Sequence, residues 1–267
     1  MSSASLPIQY VAHWRGGAEV QNGEVVHEVL ACLSVNGLQV AEMMCSPAKL
    51  DQLALGFLYN EGIITQLADV ATLHISESHC IEVWLNKPFD APKRLIVTAG
   101  CGGGTTFTDP ESQRAPLQSD LTVYAGQLAE RMKELQWGAE TYRQARGIHT
   151  AGLANAERLL LQVEDIGRHN CLDRLQGAAM QAGIATPGLI LFTSGRISSE
   201  MIHKAWRLGV PLVCSRTSPT QISVGLAQAW GICVVGYLRQ DRMRVYTHPQ
   251  RVLAGGYHEL GERVGGA

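Results

Sequence analysis

From residue 158 to residue 248 five short apolar runs recur with helix-length gaps between most of them. That alternation restricts the fold more than anything else in the chain. The runs are "RLLLQV" (158–163), "GLILFTS" (188–194), "VPLVCS" (210–215), "GICVVGYL" (231–238) and "RMRVYTH" (242–248). Stretches with helical spacing separate the first four, at about 167–182, 197–208 and 219–229. Strands that are apolar along their length, with helices between them, predict a largely parallel sheet covered by helices. The expected fold class is therefore α/β, with a three-layer α/β/α C-terminal half preceded by a mixed, β-rich N-terminal part.

The upstream part reads as irregular β. "VVHEVLACLSVNGLQVAEMMCSP" (25–47) predicts two strands joined at Asn36-Gly37, a strong hairpin signal. "SPAKLDQLALGFLYNEGII" (46–64) predicts a helix with Ser46 as N-cap, Pro47 at its first position and Gly62 at its end. Strand-like segments follow at 72–76, 80–85 and 93–98. The polar, proline-bearing "TDPESQRAPLQSD" (108–120) divides the chain into 1–107, an exposed loop or linker at 108–120, and 121–267. A helix capped by Ser119 or Asp120 opens the last part.

Charge and cysteine usage narrow the function. Lys and Arg number 22 against 24 Asp and Glu, so a net charge of −2 offers no field for nucleic acid or an anionic membrane. The first residues lack a basic n-region followed by an apolar core, and no apolar run approaches a membrane span. The expectation is a soluble cytoplasmic protein with no nucleic-acid or membrane partner. The seven cysteines stand singly, without C-x-x-C spacing, which argues against a zinc site or a disulfide framework and predicts mostly core thiols. Cys214 and Cys233, within apolar runs, fit that prediction.

In open α/β sheets ligands bind beyond the carboxyl ends of the strands. Three such junctions are polar: "EDIGRHNCLD" (164–173), "TSGRISSE" (193–200) and "SRTSPTQ" (215–221). Plain capping by Asp165, Ser194 and Ser218 would account for any one of them. Three together favour a pocket for an anionic ligand. His169 and Asp173, four apart on one helix, can face the same side. Arg196, near a helix start with Ser198, Ser199 and Glu200, suits a phosphate. Neither "TAGCGGG" nor "TSGRISS" is a Walker loop, because Gly-Lys-Ser/Thr is missing.

"TAGCGGG" (98–104) sets Cys101 among Gly100, Gly102, Gly103 and Gly104. Such neighbours strip side-chain cover from a thiol and let consecutive N–H groups stabilise a thiolate. Cys101 is thus either a reactive thiol or part of an ordinary turn. His149 in "RGIHTAG" (146–152) is a possible supporting partner.

"EDIGRHNCLDRLQGAAM", "LFTSGRISSEMIHKA" and "SPTQISVGLA", with "LALGFLYNEGII", "VTAGCGGG" and "RGIHTAGL" upstream, resemble the formate dehydrogenase accessory sulfurtransferase family, FdhD, from about residue 24 to 253. The resemblance implies a C-terminal half similar to the cytidine deaminase-like fold and a homodimer. It implies a sulfur carrier that accepts persulfide sulfur from a cysteine desulfurase on Cys101. The sulfur then passes to the molybdenum (or tungsten) bis-pterin guanine dinucleotide cofactor of formate dehydrogenase. That cofactor is cargo, none is permanently bound, no metal is held by the protein, and guanine nucleotides are expected to bind. The stretch implied to hold it is Tyr237, Leu238, Arg239, Gln240, Asp241 and Arg242. The motif residues Asp165, Arg168, His169, Asn170, Ser194, Gly195, Arg196 and Glu200 join that list. Some members carry a second cysteine three residues after the first, where this chain has Gly104. A non-catalytic chaperone for the pterin guanine dinucleotide is the alternative. A nucleotide deaminase would need H-x-E and P-C-x-x-C, and neither occurs.

Overall fold

The computed structural model describes residues 3–90, 96–97, 105–106 and 114–257. The chain opens with a long antiparallel hairpin, β1 (Ser5–Trp14) and β2 (Gly17–Val26), which pair only with each other among the described residues. A four-stranded sheet follows. β3 (Val29–Val35) and β4 (Leu38–Cys45) form the predicted hairpin, with Asn36 at φ 49° and Gly37 at φ 80°. Two positive φ values are what a tight turn matching the strand twist requires. Helix α1 (Leu50–Asn60) covers the sheet, and β5 (Val70–Ile75) and β6 (Cys80–Leu85) complete it in the order β4-β3-β6-β5. Gly62, at φ 77°, follows the end of α1 as expected. Its start differs, because Lys49 rather than Ser46 is the N-cap and the helix begins at Leu50. Alternate residues Ala31, Leu33 and Val35 meet Leu53, Ala54 and Phe57 in a core of their own.

The cysteine expectation needs one correction. Cys32 and Cys80, 48 residues apart, face each other in the parallel register of β3 and β6 with Cα atoms 4.6 Å apart and form a disulfide. Spacing along the chain could not reveal a pair that strand pairing creates. Cys45, Cys171, Cys214 and Cys233 are buried, as predicted for core thiols.

Two short pairs follow, β7 (Ile96–Val97) with β8 (Thr105–Thr106) and, later, β9 (Val123–Tyr124) with the C-terminal β16 (Val252–Leu253). Cys101 falls between β7 and β8, outside the described residues. Helix α2 (Ala125–Gly138) starts later than predicted, because Tyr124 rather than Ser119 or Asp120 is its N-cap and its N–H donates to Gln127 at 3.0 Å. Helix α3 (Glu140–Ala145) leads into the main sheet.

That sheet contains β10 (His149–Ala154), β11 (Leu159–Asp165), β12 (Ile190–Thr193), β13 (Leu212–Ser215), β14 (Cys233–Gly236) and β15 (Arg244–Val245), in the order β11-β10-β12-β13-β14-β15. It is mixed rather than largely parallel. Only β12–β13 and β13–β14 pair in parallel, while β10 inserts antiparallel between β11 and β12. Helices α4 (Arg168–Ala182), α5 (Ser199–Arg207) and α6 (Gln221–Ala229) cover one face, and α2 covers the other. The sheet's period of two divides the cores. Leu191, Val213 and Val234 face α4, α5 and α6, whereas Phe192, Cys214 and Val235 face α2.

The two halves meet at α1 and α4. A Cβ on Gly56 would lie 1.6 Å from the Asp173 carbonyl oxygen, and one on Gly177 would lie 2.0 Å from that of Gln52. Side chains are therefore excluded where the helices cross. Beside the crossing, Lys204 Nζ lies 2.7 and 2.6 Å from the two oxygens of buried Asp173, and Asn60 Nδ2 donates to the same carboxylate at 2.8 Å. No described helix is long and apolar enough to cross a membrane.

Candidate functional site

The carboxyl ends of β12, β13 and β14 lie side by side because these strands run in parallel, and their exit segments are laced together. Ser215 Oγ donates to the Gly195 carbonyl at 2.6 Å, Tyr237 N–H to Thr217 O at 3.0 Å and Leu238 N–H to Ser215 O at 2.9 Å. Tyr237 sits at φ 51°, in the left-handed region uncommon for a side-chain-bearing residue. This turn sends Arg239 back over the strand ends, where Nη1 donates to the Arg216 carbonyl at 2.7 Å. Burial, then the nearby charges of Arg216 and Arg242, hold the Arg239 guanidinium below its ordinary pKa. Three cations thus gather where the parallel strands end, and none of them forms an ion pair with a described carboxylate.

These cations line three cavities that share walls. The first, 340 Å3, runs between α2 and the strand ends and is lined by His149, Thr150, Ser194, Arg216 and Arg239, with Tyr142 at its rim. The second, 320 Å3, adds Lys133 and Trp137 from α2 together with Gln240, Asp241 and Arg242. The third, 340 Å3, lies among Tyr237, Arg239, Arg242 and Arg244. Arg244 stacks on Tyr237 at 4.4 Å, and Lys133 stacks on Trp137 at 4.4 Å. A trough with several cations and exposed aromatic rings suits a ligand carrying phosphates and planar rings.

The motif residues separate into those at this trough and those inside the fold. His149, Arg168, Ser194 and Gly195 come together. His149 Nδ1 lies 3.2 Å from Ser194 Oγ, which also accepts the Thr150 N–H at 3.0 Å. A Cβ on Gly195 would lie 2.9 Å from Arg168 Cβ and 3.4 Å from His149 Nδ1, so glycine lets the chain pass between them. Burial, then Arg168, lowers the His149 pKa, against the raising effect of Asp165, which keeps the ring neutral near pH 7. Ser194 is therefore not a helix cap. Ser198 caps α5 and Thr220, not Ser218, caps α6.

Asp165 and Asn170 do different work. Asp165 Oδ1 accepts from Gly167 N–H at 2.8 Å and Asn170 Nδ2 at 2.9 Å, while Oδ2 accepts from Arg174 Nε at 2.7 Å and Ser46 N–H at 3.2 Å. Asn170 and Arg174 then donate to the carbonyls of Met44, Ser46 and Lys49 at 2.9, 2.6 and 2.9 Å, and Arg174 also to that of Ala48. The group clasps the β4–α1 loop to the start of α4. His169 lies within, with Nε2 3.2 Å from Ser198 Oγ and 3.3 Å from Glu200. Burial, then Lys204 and Arg168, pushes its pKa down to about 2. Leu238 is fully buried core, and Arg196 is exposed.

Arg216, Lys133 and Trp137 are absent from the residues picked out by sequence. Arg216 stood within the polar junction 215–221, so its position after an apolar strand was a usable signal. Lys133 and Trp137 sit on a helix whose facing could not be known without the sheet. The described thiols are unsuited to nucleophilic chemistry. Burial pushes Cys45 and Cys233 up to about 12 and Cys171 and Cys214 well above the ordinary value. No cluster of three or more potential metal ligands occurs among the described residues.

The FdhD/NarQ family profile matches residues 26–253. The chain belongs to the FdhD/NarQ family. Sulfur carrier protein FdhD of Shouchella clausii is 34% identical over 238 residues, 85% of this chain and 89% of that protein. The FdhD of Bacillus subtilis is 33% identical over 237 residues, 85% and 90% of the two chains. A crystal structure from Desulfotalea psychrophila, described as a formate dehydrogenase accessory protein, superposes with a TM-score of 0.79 at 26% identity, covering 94% of this chain and all of that one. The mixed α/β architecture is thus that of the FdhD fold.

Proposed function

We propose that this FdhD/NarQ chain is a sulfur carrier for formate dehydrogenase that works through a persulfide on Cys101. The observation that carries this is the state of the other thiols. Of seven cysteines, four are buried with raised pKa values and two form a disulfide, which leaves Cys101 as the thiol available for exchange. In the loading step the Cys101 thiolate attacks the terminal sulfur of a persulfide on a cysteine desulfurase. The donor's S–S bond breaks, its cysteine leaves as a thiolate, and a new S–S bond forms on Cys101, with no net oxidation. Delivery as sulfide takes two further electrons, supplied by the acceptor metal or an outside thiol, since Gly104 stands where some members have a second cysteine.

The cargo in this reading is the molybdenum (or tungsten) bis-pterin guanine dinucleotide. Its phosphates would pair with Arg216, Arg239 and Arg242, and its planar rings would meet the aromatic rim of the trough. The relatives' names and the free cations along the trough support this reading. Cys101→Ala tests it against wild type by intact mass after incubation with a cysteine desulfurase and cysteine. The expected result is a reducible gain of one or more sulfur atoms on wild type alone. A desulfurase that turns over, and loads a related FdhD, without loading this chain would favour the cofactor chaperone instead.

A further inference from the structure

The Cys32–Cys80 disulfide lies outside the core that α1 shares with its sheet. Ala31, Leu33 and Val35 of β3 and Ile81, Val83 and Leu85 of β6 belong to that core. Strand alternation turns Cys32 and Cys80 to the opposite face, where both are half-buried. Leu30 and Trp84 on the same face are 53% and 51% exposed, so solvent reaches it. In the parallel register the two Cα atoms lie 4.6 Å apart, within the range a disulfide spans without backbone movement. The strands are held by their ladder and by the core on the other face. Opening the bond therefore leaves two thiols side by side on an intact sheet.

Such a pair is a reversible store of two electrons, and this chain has a use for one. The other four described cysteines are buried with raised pKa values and closed to exchange. Gly104 leaves the Cys101 loop without a second thiol to expel its own sulfur. We propose that Cys32 and Cys80 form a redox couple that reduces persulfide sulfur to sulfide. One thiolate of the open pair attacks the outer sulfur of a persulfide. The persulfide's S–S bond breaks, its cysteine leaves as a thiolate that takes a proton, and the attacking cysteine now bears the –S–SH group. The second thiolate attacks the inner sulfur of that group, HS− leaves, and the Cys32–Cys80 bond forms. One persulfide and two thiols thus give one thiol, one disulfide and one hydrogen sulfide. The transferred sulfur gains the two electrons that the pair loses. A dithiol reductant reopens the pair by the same exchange. The couple stands on the position of the disulfide, and its use in delivery rests on the sulfur-carrier reading.

Cys101→Ala separates the couple from the carrier. Under native conditions dithiothreitol should make Cys32 and Cys80 of this variant reactive to iodoacetamide, with unchanged far-UV circular dichroism. A bond that opens only on unfolding overturns the proposal. The reduced variant, freed of dithiothreitol and given glutathione persulfide, should release about one sulfide per chain beyond the background set by C32S/C80S/C101A. A non-reducing peptide map should show the Cys32–Cys80 bond restored. Sulfide no higher than the background overturns the proposal as well. Neither result bears on the loading of Cys101, which this variant lacks. For delivery, wild type is reduced, loaded by a cysteine desulfurase and freed of small thiols. It should then release sulfide roughly tenfold faster than C32S/C80S treated alike, since its reducing thiols are already in place. Equal rates reject the couple as the electron source for delivery.

Discussion

At the scale of single residues the same motif serves two ends. In "DIGRHN" the aspartate and asparagine hold the β4–α1 loop, while the buried arginine packs against Gly195 and lowers the pKa of His149 at the trough. Asp165→Asn leaves the guanidinium of Arg174, 2% exposed, without its carboxylate, which should cost about 3–5 kcal/mol of stability in a urea titration. Arg239→Gln should leave stability nearly intact. It should weaken guanosine diphosphate about tenfold in a calorimetric titration, the worth of one charge-assisted hydrogen bond. Asp165→Asn at a temperature where it stays folded should bind that nucleotide like wild type. Sequence alone could identify polar residues at strand exits, but not which of them turn inward, since that depends on a loop 119 residues away.

Among elements, the crossing of α1 and α4 is the least forgiving contact. Gly56→Ala would place a methyl group inside the Asp173 carbonyl, so the helices must part. The expected loss is about 3 kcal/mol or more, read as a lower unfolding midpoint. Helices α4, α5 and α6 were legible within one or two residues because their apolar spacing is regular, glycines bound α4, and Ser198 and Thr220 cap the starts of α5 and α6. The strand β10 was not. "HTAGLA" is short and rich in small residues, and only its place between β11 and β12 makes it a strand. Missing it hid the mixed character of the sheet. Gly152 within it faces Leu135 and Leu159, where a Cβ would come within 2.8 Å of both, so the feature that weakens the strand signal is required by the packing.

For the molecule as a whole, the buried His169 and the half-buried His149 tie stability to pH. His169 is held at about 2 against an ordinary 6.5, and His149 is lowered as well. Below pH 6.5 the unfolded chain takes up protons that the folded chain refuses. Their stabilising effect is therefore complete above pH 6.5 and declines as pH falls toward the folded values. The slope is about 1.4 kcal/mol per pH unit for each fully shifted group. Urea midpoints at pH 7.5 and 5.5 should show this loss, and His169→Gln should show a smaller one.

Among the described residues, the contacts that key the halves together run from Gly56 and Gly177 to the Asp165–Arg174 pair. Backbone pressed against backbone leaves the α1–α4 crossing no room to slide, so the two halves answer a load as one piece.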